Sequence, residues 1–209
     1  IELIQGGTGF ITITNDFLNK IRERCNETGT LLIFDEIQTC YGRLGTLFGF
    51  KKYDTIPDII CIAKGMGAGM PIGAFISSWE IMNLLTFEPQ LGHITTFGGH
   101  PVNCAASLAC LEYLLTSNLM EDVDKKEQLF RKHLSHQKIN EIRGRGLMLS
   151  LEFENEELAK KVVEKSLENG LILFYFLFTK TAIRITPPLN ISEKEIIEGC
   201  KIIKEILNQ

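Results

Sequence analysis

The chain has 209 residues, 44% of them hydrophobic, with a formal net charge of −4 and a pI of about 5.7. A chain of this length and hydropathy can bury a substantial core in one or two domains, and its acidic balance without a basic run argues against nucleic acid as a partner. The longest apolar stretch, residues 171–178, is too short to span a bilayer, and six scattered cysteines without a CxxC pair indicate reduced thiols, so we expect a cytoplasmic protein with no membrane partner.

The first predicted elements are the end of a strand and an amphipathic helix. Residues 1–4 indicate the strand end, and the glycine-rich residues after them indicate a loop. The helix is predicted over 17–27, where apolar residues recur on one face. Asn15 or Asp16 is the expected N-cap, and Gly29 is expected to end the helix.

Two short apolar runs then end in side chains that can carry chemistry. The run 31–34 is followed by Asp35, and the run 58–63 is followed by Lys64 and several glycines. Such runs are typical of buried parallel strands, whose carboxyl ends bind ligands. Lys64 alone also fits an ordinary surface lysine, whereas Asp35 is a buried acid in need of a cationic partner. Together, 29 residues apart, they match the pattern expected for pyridoxal phosphate, with Lys64 forming a Schiff base and Asp35 keeping the pyridine nitrogen protonated.

The middle of the chain is predicted to hold a strand, a helix or turn, a long loop and a helix, over 72–77, 79–85, 86–101 and 101–115. The loop is too long and too polar at its centre to be a simple connection. Its histidines, His93 and His100, have no cluster of other metal ligands at suitable spacing. We therefore expect structural roles for both histidines and no metal site.

A break at Ser117 and Asn118 marks the predicted domain boundary, giving domains 1–116 and 117–209. The second domain is predicted to be an α+β unit, because helical and strand periodicities alternate along it. Its Gly-Arg-Gly at 144–146 is expected to be the turn into a strand. The predicted helices are 120–134, 156–168 and 192–207, and the predicted strands are 146–154, a strand after Gly170, and 182–186.

Arg184 lies within the last of these strands, between apolar neighbours and before Pro187 and Pro188. A guanidinium emerging from such a strand can bind a carboxylate through two parallel hydrogen bonds. A structural ion pair explains the same residue equally well from the sequence alone. Arg184 is therefore a candidate substrate-binding residue.

Four segments carry a resemblance to a known family: DEIQTCYGRLG (35–45), AKGMGAGMPIGA (63–74), GHITTFGGHP (92–101) and IRITPPL (183–189). In order and spacing they resemble the class III, subgroup II aminotransferases, which include the acetylornithine, ornithine and 4-aminobutyrate aminotransferases. The resemblance runs from residue 1 to the C-terminus, but family members are about twice this length, so it covers their C-terminal half. It implies an α/β fold of the pyridoxal-phosphate-dependent transferase fold type I, like aspartate aminotransferase. This chain would supply part of the large domain, with a mainly parallel sheet, and a C-terminal α+β small domain.

The resemblance also implies a role for each candidate residue. Lys64 would bind the cofactor covalently and Asp35 would hold its pyridine nitrogen, while Gln38 would hydrogen-bond its phenolic oxygen. Thr96 would bind the phosphate of the partner subunit's cofactor, which implies a homodimer with shared active sites. Arg184 would bind the substrate carboxylate. The implied reaction is ping-pong transfer of an amino group from an amino acid or ω-amine donor to a 2-oxo acid such as 2-oxoglutarate.

The sequence departs from the family pattern at four positions. Gly7 replaces a glutamate that usually screens the carboxylate-binding arginine, so ω-amine specificity does not transfer directly. Cys40 stands where glycine is common, Leu44 where serine or threonine is common, and Ala63 where serine is frequent. The last three lie around the site and are expected to retune it without removing its chemistry.

Two alternatives remain open on the sequence alone. A decarboxylase, racemase or aminomutase of the same fold would use the same residues, because fold does not fix reaction. An inactive fragment or a non-catalytic partner is the other alternative, because the family's main phosphate-binding turn and the aromatic residue that stacks on the pyridine ring lie in the half that this chain does not resemble.

Overall fold

The computed structural model describes residues 1–90 and 92–209, which form two compact units. Unit 1 consists of residues 1–3, 13–41 and 48–118, and unit 2 of residues 4–12, 42–47 and 119–209. The predicted loop 86–101 includes Leu91, which lies outside the described residues. In the described parts, no helix combines the length and apolar content needed to cross a bilayer. The domain limits 1–116 and 117–209 stay a prediction.

Unit 1 is built on a three-stranded sheet in the order β1-β2-β3. The strands are β1 (Ile33–Asp35), β2 (Ile59–Ile62) and β3 (Ala74–Ser77), and the helices are α1 (Asn15–Thr28), α2 (Trp79–Asn83) and α3 (Pro101–Thr116). β1 and β2 are parallel, as predicted for these two runs, and Asp35 lies opposite Cys61 in their register. β3 runs antiparallel to β2, so this part of the sheet is mixed.

The ends of α1 are set by a threonine and a glycine. The Thr14 hydroxyl accepts a hydrogen bond from Phe17 N at 3.3 Å, and Thr14 has an extended backbone. The prediction of Asn15 or Asp16 as the N-cap was therefore wrong, because both already lie inside the helix. Gly29 ends the helix at a φ of 68°, as predicted, since glycine adopts this left-handed conformation without strain.

The core of unit 1 lies on one face of its sheet. Leu32 and Phe34 alternate with the exposed Ile33 and pack with Leu18 of α1 and with Leu3. The apolar run was expected to form a buried strand, but Ile33 of β1 is 41% exposed. A two-residue period places Ile33 on the opposite face, which these elements leave open.

Unit 2 is an α+β unit with an antiparallel sheet in the order β4-β5-β7-β6. Its helices pack on one face of the sheet and share with it a continuous apolar core. The predicted helix 156–168 is found with those bounds. The helices are α4 (Val123–His133), α5 (Glu156–Glu168) and α6 (Glu193–Leu207), and the strands are β4 (Glu141–Arg145), β5 (Met148–Glu152), β6 (Phe174–Tyr175) and β7 (Ala182–Ile185).

β4 is a strand that the sequence did not predict. Its Gly144 and Arg145 belong to the expected turn at 144–146, so the turn begins two residues later, at Gly146. Arg131 of α4 stabilises the strand from outside the sheet, since its guanidinium donates to Ile142 O at 2.7 Å and Gly144 O at 2.9 Å. A polar, glycine-containing segment does not reveal such long-range partners.

Candidate active site

Lys64 follows β2 directly and opens a short 3₁₀ turn, Lys64–Gly67. Its backbone is left-handed, with a φ of 48°, and its side chain is exposed. Within residues 1–90 and 92–209, no carboxylate forms an ion pair with its amine. The turn is closed by backbone hydrogen bonds from Met66 N to Ala63 O at 3.1 Å and from Ala68 N to Gly65 O at 3.3 Å. Lys64 thus presents a primary amine at the end of the strand.

Asp35 lies at the same edge of the sheet. It ends β1 opposite Cys61 of the parallel strand β2, and Lys64 follows Cys61 by three residues, just after β2 ends. Asp35 Oδ1 accepts a hydrogen bond from Ile37 N at 3.0 Å, which fixes the carboxylate against its own loop. The side chain is half-buried, less enclosed than the buried acid that the sequence predicted. The structure does bring Asp35 and Lys64 to neighbouring strand ends, as the sequence predicted.

The fully buried acid is the next residue, Glu36. Its carboxylate accepts hydrogen bonds from Gly49 N, from Phe50 N at 2.7 Å and from Thr39 Oγ1 at 3.0 Å. Burial raises the pKa of Glu36, and these hydrogen bonds oppose that effect. Because Glu36 N also donates to Cys61 O at 2.9 Å, this residue ties the loop after β1 to β2.

Sequence reasoning gave Glu36 no role. Side chains alternate between the two faces of a strand, so two consecutive acids at a strand end cannot point the same way. That alternation was a usable signal that one of the two is structural.

Gln38 and Thr96 also lie in unit 1. Gln38 is half-buried in the turn after Asp35, and Thr96 is exposed in the turn 96–99 before α3. His100 caps α3, because its Nδ1 accepts a hydrogen bond from Val102 N at 3.3 Å. This contact gives His100 the structural role that was expected. The roles of Gln38 and Thr96 stay predictions.

Arg184 lies in unit 2, on β7, and is held by aromatic rings. Its guanidinium carbon is 4.7 Å from the ring centroid of Phe176 and 5.7 Å from that of Phe10. The two rings meet edge to face at 4.7 Å. No ion pair to Arg184 is found in the described parts of the chain, and its Nε is buried without a hydrogen-bond partner. Burial also lowers the pKa of the guanidinium.

The unpaired, buried Nε leaves Arg184 with a hydrogen-bond donor that an anion can satisfy. A buried donor without a partner costs free energy, and a carboxylate oxygen would remove that cost. The rings fix the guanidinium plane by cation–π contact, which leaves its hydrogen-bond edge to an incoming group. The sequence left two interpretations of Arg184, a structural ion pair and a carboxylate-binding residue. The described residues do not form the ion pair.

Gly7 lies against an aromatic side chain in the same unit. Gly7 O accepts a hydrogen bond from Phe178 N at 3.1 Å. A Cβ built on Gly7 would be 3.0 Å from Phe178 Cδ2, which is closer than ordinary contact. A glutamate at this position would therefore require Phe178 to move.

The side chains at the strand ends of unit 1 fit pyridoxal phosphate. Lys64 offers an amine to a carbonyl carbon, and the neighbouring Asp35 offers a carboxylate to a protonated pyridine nitrogen. The Gln38 amide and the Thr96 hydroxyl can donate to oxygen atoms. Covalent attachment needs the amine free of a salt bridge, which is how the structure places it.

Comparisons with known proteins agree on one family. A family model described as aminotransferase class III matches residues 1–207. Acetylornithine aminotransferase of Caldanaerobacter subterraneus is 38% identical over 214 residues, covering 100% of this chain and 53% of that protein. Putrescine aminotransferase of Pectobacterium atrosepticum is 36% identical over 216 residues, covering 100% of this chain and 46% of that protein. The chain therefore spans about half the length of these relatives.

Solved structures give the same result at the level of fold. A Bacillus anthracis aminotransferase superposes with a TM-score of 0.93 at 31% identity, covering 100% of this chain and 51% of that one. N-acetylornithine aminotransferase from Stenotrophomonas maltophilia superposes with a TM-score of 0.85 at 29% identity, covering 99% of this chain and 55% of that one. The predicted α/β transferase fold is confirmed by these superpositions.

Proposed function

Because this chain belongs to the class III aminotransferases, we propose that it supplies the lysine-bearing half of a pyridoxal-phosphate-dependent transaminase. The observation that carries the proposal is the placement of Asp35 and Lys64 at the ends of neighbouring parallel strands. The enzyme would move an amino group from an amino acid or ω-amine donor to a 2-oxo acid, for which we propose 2-oxoglutarate. The two substrates would react in turn at one site.

The cofactor, when bound, supplies an electron sink for the electrons released at the substrate carbon. Lys64 Nζ would hold the cofactor at its carbonyl carbon, and the same amine would accept and return a proton at the reacting carbon of the substrate. The Asp35 carboxylate keeps the pyridine nitrogen protonated, and the Gln38 amide donates to the ring oxygen. The Thr96 hydroxyl binds the phosphate held by the partner subunit.

Arg184 would bind the carboxylate of the 2-oxo acid. Its unpaired Nε and aromatic support are the observations in favour. Because Gly7 brings no acid of its own to this region, nothing at that position competes for the guanidinium. We therefore propose that amino acids and 2-oxo acids with a carboxylate in this place are accepted readily. The names of the relatives make acetylornithine, ornithine and putrescine the first donors to test.

The assembly that fits this proposal is a homodimer in the cytoplasm. Thr96 is exposed on a turn before α3, as a residue must be if it is to reach a neighbouring subunit. A second candidate function follows from length. Since the chain spans about half the length of its relatives, it would be inactive alone and would form part of an enzyme only together with further polypeptide.

The test is covalent trapping of the cofactor. The protein is incubated with pyridoxal phosphate, reduced with borohydride, digested and mapped by mass spectrometry. We expect the pyridoxyl group on Lys64, no label there in Lys64→Ala, and parent-like labelling in Lys51→Ala as the matched control. Labelling spread over several lysines would contradict the assignment. Labelling at Lys64 without turnover of any donor would favour the non-catalytic half.

A further inference from the structure

The backbone at Lys64 is held in a conformation that lysine adopts rarely. Its φ of 48° lies in the left-handed region, and Tyr41, in the loop after β1, has a φ of 51°. Non-glycine residues pay free energy for this conformation and keep it only when surrounding contacts enforce it. The contacts around the Lys64 turn must therefore supply that constraint.

A thiol lies on the carbonyl at each side of Lys64. Cys40 Sγ is 3.9 Å from Ala63 O, and Cys110 Sγ of α3 is 3.5 Å from Gly65 O. Each of these carbonyls already accepts a backbone N–H of the turn, so the thiol approaches as a second donor. A single S–H···O contact is weak, but here one such contact lies on each side of Lys64, so both of its neighbouring peptide groups are held.

Both cysteines are free and remain protonated donors. Burial raises the pKa of Cys40 to about 12, and burial also raises the pKa of Cys110. At neutral pH each thiol therefore keeps the hydrogen that faces its carbonyl. Cys40 is a departure from the family pattern, so this contact belongs to this chain's own sequence.

Tyr41 completes the enclosure from a third side. It is 8% exposed, and a Cβ built on Gly65 would come within 3.2 Å of Tyr41 Cβ. The backbone next to Lys64 thus rests directly on Tyr41. Because Tyr41 follows Cys40 in the loop that leaves Asp35, the same loop contacts both sides of the lysine.

We propose that Cys40, Tyr41 and Cys110 are positioning residues that hold Lys64 in its left-handed conformation and so aim its amine. The inference rests on the proposed role of Lys64. Without the two thiols, the turn would open more often and the amine would sample more directions. Capture of pyridoxal phosphate at Lys64 would then slow, although no cofactor-binding group had been removed.

Two measurements on the Cys40→Ala/Cys110→Ala variant test this. Hydrogen exchange of the Met66 and Ala68 amides, which close the turn, is expected to speed up about tenfold, because these amides report opening of the turn. The initial rate of borohydride-trapped pyridoxyl labelling at Lys64 is expected to fall at least about threefold. Without the two thiols, the left-handed backbone conformation of Lys64 is no longer enforced, and its amine points towards the cofactor less often. Replacement of both cysteines by serine, whose hydroxyl donates in the same place, should restore both values.

The controls are cysteines away from the turn. Cys104→Ala changes an exposed cysteine of the same helix, and Cys200→Ala changes a buried cysteine of unit 2; neither should alter exchange or labelling at the turn. Faster exchange with unchanged Lys64 labelling would overturn the proposal, because the two thiols would then only pack against the turn without positioning the amine. Unchanged exchange would also overturn it. Cys110→Ala alone gives the same readings if the double variant fails to fold.

These readings also separate the inference from the proposed function. The parent must first show labelling at Lys64, and its absence there would contradict the proposed function itself. The exchange measurement does not use the cofactor. It therefore tests whether Cys40 and Cys110 stabilise the Lys64 turn, whichever reaction the protein catalyses.

Discussion

The carboxylate of Glu36 is buried beside the candidate site and is held by Gly49 N, Phe50 N and Thr39 Oγ1. Burial raises the pKa of this acid above its ordinary value of 4.5. An acid that binds its proton more tightly in the folded chain stabilises the fold most at low pH. That contribution is lost as pH rises through the raised pKa.

We predict that Glu36→Gln makes the free energy of unfolding less dependent on pH above this ordinary value. Urea denaturation at several pH values checks it, and the slope is the readout because the amide also forfeits a hydrogen-bond acceptor, at a cost of about 1–3 kcal/mol. Glu121→Gln, at an exposed position, should keep the parent's slope. Equal slopes in the two variants would show that Glu36 does not titrate differently on folding.

At Arg184 the planar guanidinium matters as much as its charge. Arg184→Lys keeps the charge but loses the fork and the stacking on Phe10 and Phe176, so we predict that KM for the 2-oxo acid rises about tenfold with a smaller change in kcat. Steady-state kinetics of the active enzyme measures this. Arg24→Lys, on the exposed face of α1, should change neither constant. An unchanged KM in Arg184→Lys would remove Arg184 from the carboxylate site.

At the scale of elements, the β4–β5 hairpin depends on a glycine. Gly144 has a φ of 96°, and a Cβ built there would lie 2.0 Å from Met148 O of the paired strand. Gly170 has a φ of 80° but no heavy atom within 4 Å of such a Cβ. Both positions therefore require a left-handed backbone, but only Gly144 lacks room for a side chain.

We predict that Gly170→Ala costs about 1 kcal/mol in the free energy of unfolding, from backbone strain alone. Gly144→Ala should cost more than about 3 kcal/mol or prevent folding, because the hairpin must open to admit the methyl group. Chemical denaturation of both variants gives the comparison. Equal costs would mean that the hairpin relaxes freely around residue 144.

How far the sequence predicts these elements depends on how local their causes are. The helix 156–168 follows from its periodicity and from Asn155, which caps it, so its bounds were predictable. β4 depends on Arg131 and on pairing with β5, neither of which leaves a local trace. At α1 the cap was misplaced by one or two residues, because threonine, asparagine and aspartate occur in succession and all three can cap.

The candidate site divides in the same way. Asp35 and Lys64 were predictable because each ends an apolar run, and parallel strands bring such ends together. Glu36, the aromatic support of Arg184 and the thiols beside Lys64 were not, because each depends on contacts between residues far apart in the sequence. Gln38 and Thr96 rest on the family resemblance and await the kinetics of their variants.

At the scale of the whole molecule, α3 presents apolar side chains around its circumference. Only Ser107 and Leu114 of this helix are buried in the described structure, whereas Leu108 is 56% and Tyr113 is 63% exposed. A helix that is apolar on all sides is normally enclosed. We therefore expect polypeptide equivalent to the other half of the relatives to cover it.

We predict that the chain binds the N-terminal half of the Caldanaerobacter relative and that Leu108→Glu weakens this binding at least about tenfold, because a charge would be buried. Leu167→Glu, at a similarly exposed leucine of α5, should leave this binding unchanged. Sedimentation of the mixed chains gives the affinities. Equal binding by parent and Leu108→Glu would place the interface elsewhere.

The interleaving of the two units has a consequence for synthesis. Residues 4–12 and 42–47 leave the ribosome well before residues 119–209, the part of unit 2 that they join. Arg143 Nε reaches back to Gly9 O, and Arg43 Nη1 reaches forward to Pro187 O, across 134 and 144 residues. Unit 2 can therefore close only after residues as far along as Pro187 have been made, and until then Ile4, Phe10 and Leu44 lack their later partners in the same apolar cluster. A polypeptide that begins at residue 119 would lack these three side chains.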